Sequence, residues 1–181
     1  MISAECGYTD IVEALVRTDA SVEHLHKQGC DVYDSDGVPE DNTALMLASA
    51  RGHTGTVRVL IAADGSTEHI GIRRNIMGYF GETALILAAR EGHIDVVREL
   101  IAADSSAEHI RQVEDMTCSA EDSGQTALLA AVESGHTEVV VRELIAADGS
   151  AEHLQMKNSD GHTALDEAVE HGHEDIIALL A

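Results

Sequence analysis

A Thr-Ala-Leu tripeptide occurs four times in the chain, and this repetition limits the possible folds more than any other feature. The copies begin at Thr43, Thr83, Thr126 and Thr163. A Gly-His pair follows nine residues after each Thr, and a cluster of Val, Leu and Ile comes next. Recurrence in this order predicts a row of similar units, each burying its apolar face against its neighbours.

Each unit begins with two predicted helices. Thr is a good N-cap residue, and the Ala-Leu-x-Leu-Ala-Ala segment after Thr83 consists of strong helix formers. The Gly of the Gly-His pair is expected to end this first helix, and Val-Val-x-x-Leu-Ile forms a second helix with one apolar side. Because the first helix is apolar nearly all round, we expect the neighbouring units to cover it.

An Ala-Ala-Asp-x-Ser-x-Glu-His segment follows the Leu-Ile pair of the second helix in three units. We predict a short extra helical turn here, with Ser105 and Glu108 forming a capping box and Gly65 and Gly149 as the equivalent caps. Simple continuation of the second helix is the alternative.

The fourth unit has one residue more than the third between its Gly-His pair and its Leu-Ile pair. One extra residue inside a helix turns everything beyond it by about 100°. We therefore predict either a π-bulge or a longer Gly-His turn, which keeps Leu144 and Ile145 facing inward.

The order Thr-Ala-Leu-x-Leu-Ala-Ala-x-x-Gly-His-x-x-Val-Val-x-x-Leu-Ile resembles the ankyrin repeat. The resemblance implies an all-α fold, an ankyrin-type α-solenoid of stacked helix-turn-helix units with long finger loops. It covers the chain as a single domain, residues 1–181, with approximate repeats at 1–42, 43–82, 83–125, 126–162 and 163–181.

The ends of the series differ from the central units. Residues 4–12 align with residues 89–97, so Met1 falls inside the first helix of a partial unit. Either the chain is a fragment that begins there, which we favour, or a half-unit caps this end. Asp166 and Glu167 make the last unit polar where other units are apolar, as expected of a terminal cap.

Two departures from the family pattern matter. The motif Pro is Ala in all four copies, and the motif His is replaced by Met46, Ile86, Leu129 and Asp166, so the family's Thr-His hydrogen bonding cannot form. Between each Glu-His pair and the next Thr lie between 9 and 18 residues, and these connections are expected to form the fingers.

The resemblance also implies a partner-binding row on the concave groove, at the residues before Thr and before Gly-His. The candidates in this row are Asn42, Arg51, Glu82, Arg90, Glu91, Gln125, Glu133, Ser134, His162, Glu170 and His171. A second set lies in the finger segments, where Tyr and Arg are typical of interface hot spots. Its members are Tyr33, Arg73, Arg74, Tyr79 and Phe80, which either bind a partner or pin the finger onto the stack.

The net charge of the chain limits the kinds of molecule that it can bind. The chain has 11 Lys and Arg against 33 Asp and Glu, a formal net charge of -22. A phosphate backbone is repelled by such a surface, so nucleic acid is an unsuitable partner. Because carboxylates increase toward the carboxyl end of the row, we expect a basic segment of another protein to dock near repeats four and five.

The remaining patterns favour a non-catalytic interaction module. Ser and Asp recur in phase with the repeat, as structural residues do, and we predict no catalytic site, no cofactor, no metal and no membrane insertion. The wide spacing of Cys6, Cys30 and Cys118 favours a cytoplasmic setting, and a monomer is expected. The alternative is a regulatory or adaptor ankyrin segment of a larger enzyme, kinase or channel.

The 11 histidines are candidates for metal ligands and for titrating groups. His24, His69, His109 and His153 recur in successive units, and stacking at roughly 8–10 Å prevents them from sharing one ion. The Gly-His histidines are expected to bond nearby backbone. The Glu-His pairs are either solvated surface charge or a column in which mild acid relieves carboxylate repulsion.

Overall fold

The computed structural model describes residues 1–18, 23–27, 29–33, 39–73, 75–76, 79–113, 124–135 and 138–181. Its helices fall into three sets that recur along the chain. The first helices are α1 (Ile2–Glu5), α4 (Ala44–Ala50), α7 (Ala84–Arg90), α10 (Ala127–Glu133) and α13 (Ala164–Glu170). The second helices are α2 (Thr9–Thr18), α5 (Thr54–Ala63), α8 (Ile94–Ala103), α11 (Glu138–Ala147) and α14 (Glu174–Leu180). The third helices are α3 (Glu23–His26), α6 (Thr67–Ile70), α9 (Ala107–Ile110) and α12 (Ala151–Leu154).

The helices stack in chain order. First helices pack on first helices, from α4 through α7 and α10 to α13, and second helices pack on second helices from α2 through α5, α8 and α11 to α14. Leu45, Leu85 and Leu128, which follow the Thr-Ala of their motifs, are at most 1% exposed. The predicted all-α solenoid, in which neighbours complete each unit's core, is confirmed.

Short strands in the first two fingers form the remaining regular structure of the described residues. They are β1 (Gly29–Tyr33), β2 (Pro39–Asn42), β3 (Asn75–Ile76) and β4 (Tyr79–Phe80), antiparallel in the order β1-β2-β3-β4. Gly29 pairs with Asn42, Asp41 with Asn75 and Ile76 with Tyr79. The two fingers are thus joined edge to edge beside the helical stack.

The motif Thr residues cap the first helices, as predicted. In α4, α7, α10 and α13 the Thr hydroxyl accepts a hydrogen bond from the amide three residues later. In the last unit Thr163 also donates its own amide and hydroxyl to Asp166, at 2.9 and 2.8 Å. These bonds lower the pKa of the Asp166 carboxyl. In the last unit the Asp166 carboxylate, at the position of the motif His, is therefore the hydrogen-bond partner of Thr163.

The third helices confirm the predicted extra turn but begin one residue later than expected. Ser106, not Ser105, is the N-cap of α9, and its hydroxyl accepts from the His109 amide at 3.2 Å. Asp104 ends α8 in an extended conformation and accepts from the Ser106 amide at 2.9 Å, which fixes this start. Gly65 and Gly149 are likewise not the caps, since Ser66 and Ser150 hold that position.

The extra residue of the fourth unit lies before the second helix. Helix α11 is an uninterrupted α-helix of 10 residues, the same length as α5 and α8. It begins at Glu138, three residues after Gly135, whereas α8 begins at Ile94, two residues after Gly92. The extra residue therefore lies between Gly135 and Glu138 and not inside α11, and residues 136 and 137 themselves are outside the described part of the chain. Leu144 is fully buried and Ile145 partly buried, as predicted.

His53 and His93 of the Gly-His pairs bond backbone, as expected, and that backbone belongs to the preceding unit. His93 Nε2 lies 3.1 Å from the carbonyl oxygen of Ala50, and His53 Nε2 lies 2.8 Å from that of Glu5. The ring of His93 lies directly over Gly52, where a Cβ would come within 2.6 Å of it. Gly7, Gly52 and Gly135 thus each make room for the next unit's histidine.

Arginine side chains on several helices link neighbouring units. Arg58 of α5 bonds Glu99 of α8 at 2.7 Å, and Arg98 of α8 bonds Glu143 of α11 at 2.6 Å. The Arg58 and Arg98 guanidinium groups are exposed, so each pair contributes little to stability by itself.

The Glu-His histidines of the second to fourth units are buried. His69, His109 and His153 are 1%, 4% and 1% exposed. Burial lowers the pKa of His69 and of His109, in His109 against the opposing charge of Asp104. Burial thus opposes a proton on His69 and on His109, so relief of carboxylate repulsion by mild acid is not expected at these two residues.

We expect Gly52→Ala to destabilise the fold more than Gly172→Ala. Both glycines have a left-handed φ, at 72° and 71°, so the backbone cost is shared. A Cβ at position 52 also meets the His93 ring, whereas nothing lies within 4 Å of one at position 172. The difference in free energy of unfolding, measured with urea, should be about 1–3 kcal/mol. Equal losses would show that the histidine contact is unimportant.

We expect the fold to lose stability as the pH falls below about 6.5, because the lowered pKa of His69 and His109 favours the neutral ring in the native state. Above the ordinary pKa of 6.5 this stability is fully present, and it is lost as the pH falls toward the lowered value. Urea unfolding across this range tests the sign.

His109→Gln should flatten that pH dependence, whereas His24→Gln, at the exposed equivalent position of the first unit, should preserve it. Greater stability in acid than in alkali would contradict the buried-histidine interpretation.

Candidate functional site

A polar pocket of about 410 Å³ lies between the first helices α10 and α13 and the turn that precedes α13. It brings together five residues of the predicted row, namely Gln125, Glu133, His162, Glu170 and His171. Four further residues complete its lining, which are Asn158, Ser159, Asp160 and Glu167. We call this concavity the acidic pocket.

The turn from Lys157 to Thr163 is fixed by hydrogen bonds within it. Lys157 and Thr163 form an antiparallel bridge. The Asn158 side-chain oxygen accepts from the amides of Asp160 and His162, at 3.1 and 2.9 Å. The resulting turn places Asp160 and His162 on one wall of the acidic pocket.

Glu167 organises the floor of the acidic pocket. Its carboxylate is buried and accepts a hydrogen bond from the Asn158 amide group at 2.6 Å. His162 Nδ1 and His171 Nε2 lie 3.2 and 3.4 Å from the same carboxylate. One acidic residue thus orients three polar neighbours, which explains why it is buried in a unit whose outer surface is polar.

The outer carboxylates leave the pocket negative. Glu133, Asp160 and Glu170 are exposed, and no Lys or Arg lines the pocket among the described residues. Gln125 donates to Glu133, and Glu170 lies 3.3 Å from His162 Nδ1. A cationic side chain is therefore the group that this surface suits best.

The middle of the predicted row has a different character. Arg51 bonds Glu5 at 3.0 Å, and Arg90 forms an ion pair with Glu82. The side chains of Asn42 and Glu82 are buried, so neither is available at the surface. Glu91 and Ser134 are exposed at the carboxyl ends of α7 and α10. The positive charge that the sequence shows in the middle of the row is already matched by carboxylates.

The finger candidates are placed only in part. Tyr33 lies in β1, and Tyr79 and Phe80 form β4, but their side chains are outside the described part of the chain. Arg74 is outside it as well, and Arg73 is partly buried. Whether these residues bind a partner or pin the finger therefore stays a prediction.

Sequence reasoning missed Asn158, Asp160 and Glu167. An Asn-x-Asp-Gly segment, residues 158–161, is typical of a tight turn, and this signal was available. Gly161 has a φ of 78°, the left-handed conformation that such a turn uses. The burial of Glu167 gave no signal, because the same residue fits a polar cap.

Two groups of described residues have the composition of a metal site. His26, Asp64 and His69 form one, and His162, Glu167 and Glu170 the other, with ligand atoms within 4.8 Å of one another in each. In both groups hydrogen bonds already join the side chains, at 2.6 Å for His26 and Asp64. The expectation of no metal remains a prediction.

Comparison with known proteins agrees with the helix pattern. The family profile for ankyrin repeats, in three copies, matches residues 1–112 and 108–181. None of the curated proteins compared with the chain matches it significantly. In the described part of the chain no helix combines the length and apolar character needed to cross a membrane. Ankyrin repeats are generally protein–protein interaction modules, and the family is typically non-catalytic. The chain belongs to the ankyrin-repeat family.

Proposed function

We propose that this chain is a non-catalytic interaction module that binds a basic segment of a partner protein in the acidic pocket of repeats four and five. The observation that carries the proposal is the pocket's lining, in which the described residues include the exposed carboxylates Glu133, Asp160 and Glu170 and no Lys or Arg. Family membership supports a protein partner, and the charge of the lining supports a basic one.

A concave site such as the acidic pocket can enclose a partner's side chain, which a flat surface cannot do. Its volume of about 410 Å³ exceeds what one lysine or arginine side chain fills, so a short stretch of chain is the expected ligand. Glu167 and Asn158 hold the floor in place before binding, which reduces the ordering that binding requires.

The fingers form a second proposed contact, through Tyr33, Arg73, Arg74, Tyr79 and Phe80. Aromatic and arginine side chains beside a groove are typical anchors of an interface.

We further propose that the chain acts as a monomer in the cytoplasm. The wide cysteine spacing favours this compartment. A role as regulatory or adaptor segment of a larger enzyme, kinase or channel is the alternative, and it uses the same pocket.

A peptide test must separate the acidic pocket from the general attraction of a chain with a net charge of -22. We expect Glu133→Gln/Glu170→Gln to weaken binding of a fluorescent oligoarginine peptide about five- to tenfold, because both carboxylates line the pocket. Glu174→Gln/Asp175→Asn removes the same charge from exposed positions of the last unit outside the pocket, and is the matched control. Fluorescence anisotropy at low and physiological salt measures both.

Equal weakening by the two double variants would mean that the peptide follows net charge alone. That result would remove the acidic pocket from the proposal.

The fingers are tested with Tyr79→Ala/Phe80→Ala in an affinity pull-down, with thermal unfolding of the same variant. If these residues contact the partner, its recovery falls while the melting temperature is unchanged. A lower melting temperature with undiminished recovery shows that they pin the finger onto the stack.

A further inference from the structure

One position at the end of each third helix faces the next unit. We call this contact between two successive units a junction, and the residue at the facing position differs from one junction to the next. It follows the Glu-His-x sequence and is occupied by His26, Gly71 and Arg111 in the first three units. The residue it faces is the Asp that ends the next second helix. His26 Nε2 lies 2.6 Å from the Asp64 carboxylate, and Arg111 bonds the Asp148 carboxylate.

The Arg111 junction shows what this position does when a guanidinium fills it. Besides Asp148, the guanidinium bonds the Glu152 carboxylate at 2.6 Å and the Ser150 hydroxyl at 3.0 Å. The hydrogen bond from Arg111 lowers the pKa of Asp148 to about 2. A single planar cation thus satisfies the Asp, Ser and Glu of the following unit.

The middle junction has the same Asp, Ser and Glu but no side chain facing them. Asp104, Ser106 and Glu108 are the equivalents of Asp148, Ser150 and Glu152, and the facing residue is Gly71. Asp104 is 8% exposed, and none of the cations of the described residues forms an ion pair with it. A polar pocket of about 370 Å³ remains here, which we call the Gly71 pocket.

A buried histidine in the Gly71 pocket also lacks a partner. His109 is 4% exposed, and neither of its ring nitrogens has a hydrogen-bond partner. In the two neighbouring units Nδ1 of His69 and of His153 lies 2.7 Å from the backbone oxygen of the Asp. His69 and His153 each leave only Nε2 without a partner, whereas His109, at the junction that lacks the facing side chain, leaves both nitrogens without one, which is costly for a buried polar group.

We propose that the Gly71 pocket binds an arginine side chain of a partner protein. The guanidinium takes the place that Arg111 fills at the next junction, donating to Asp104, Ser106 and Glu108, while His109 offers a further ring nitrogen as acceptor. A guanidinium has five donors in a planar fork, which suits this set better than an ammonium. The Gly71 pocket shares no residue with the acidic pocket, so this second site goes beyond the function proposed above.

The probe is an acetylated Gly-Arg-Gly amide peptide, titrated while the backbone amide resonances of the protein are followed by NMR. We expect the amides of residues 104–109 to shift and to report one binding event at this junction. Gly71→Arg should abolish that event by filling the site from within the chain. The backbone dihedral suits the new side chain, since the φ of Gly71 is -86° and that of Arg111 is -89°. A Cβ at position 71 comes within 2.9 Å of the Thr67 carbonyl oxygen, so a small local shift is expected, and Gly71→Ala shares it.

Gly71→Ala is the matched control, because it adds a Cβ without a cation and should retain binding. Asp104→Asn should weaken binding about tenfold or more, since it removes the charged acceptor. A Gly-Lys-Gly peptide should bind more weakly than the arginine peptide.

The converse variant, Arg111→Gly, should create a second Gly71-like site. We expect the arginine peptide then to shift the amides of residues 148–153 as well. If Arg111→Gly fails to fold, the wild type and Gly71→Arg still decide the matter. The proposal is overturned if the amides of residues 104–109 do not respond in the wild type, or respond equally in Gly71→Arg. Shifts confined to the acidic pocket would overturn it while supporting the function proposed above.

Discussion

In the part of the chain that the structure describes, the first helix of a unit is buried by the first helices of its neighbours, and the rest of the structure depends on this contact. Leu85 and Leu128 are fully enclosed only because a neighbouring first helix lies on each side of them. Small aliphatic and alanine side chains allow this close approach, whereas bulky aromatic rings would hold the helices apart. The free energy of unfolding therefore depends on the contacts between units as well as on the stability of each unit.

Several of the few cationic residues of this chain lie at the junctions between units. The chain has only 11 Lys and Arg, and Arg51, Arg58, Arg98 and Arg111 each bond a carboxylate of a neighbouring unit. Their contribution is modest where the pair is exposed. In a chain of such negative charge, however, cations placed between units reduce the repulsion that stacking creates.

Local signals were predictable from the sequence, and contacts between units were not. The Thr caps need only a hydroxyl three residues before an amide, so they follow from four residues of sequence. His93 bonds a carbonyl 43 residues away, and no local pattern indicates that partner. Ser105 and Ser106 are both good caps by type, and the extended exit at Asp104 decides between them. The Glu-His pairs are polar in composition, yet His69 and His109 are covered by packing.

For the candidate site, the residues before the Gly-His pairs indicated the acidic pocket from the sequence. The ion pairs of Arg51 and Arg90 and the burial of Glu167 could not be predicted from the charges in the sequence alone.

The histidine that lies over the preceding glycine makes the contact between units directional, with a receiving side and an inserting side. Two identical ends cannot mate through it, so the geometry disfavours back-to-back pairing of copies at this joint. A duplicated unit, by contrast, brings both halves of the joint with it. Tandem arrays built in this way can lengthen by whole copies without the evolution of a new contact surface.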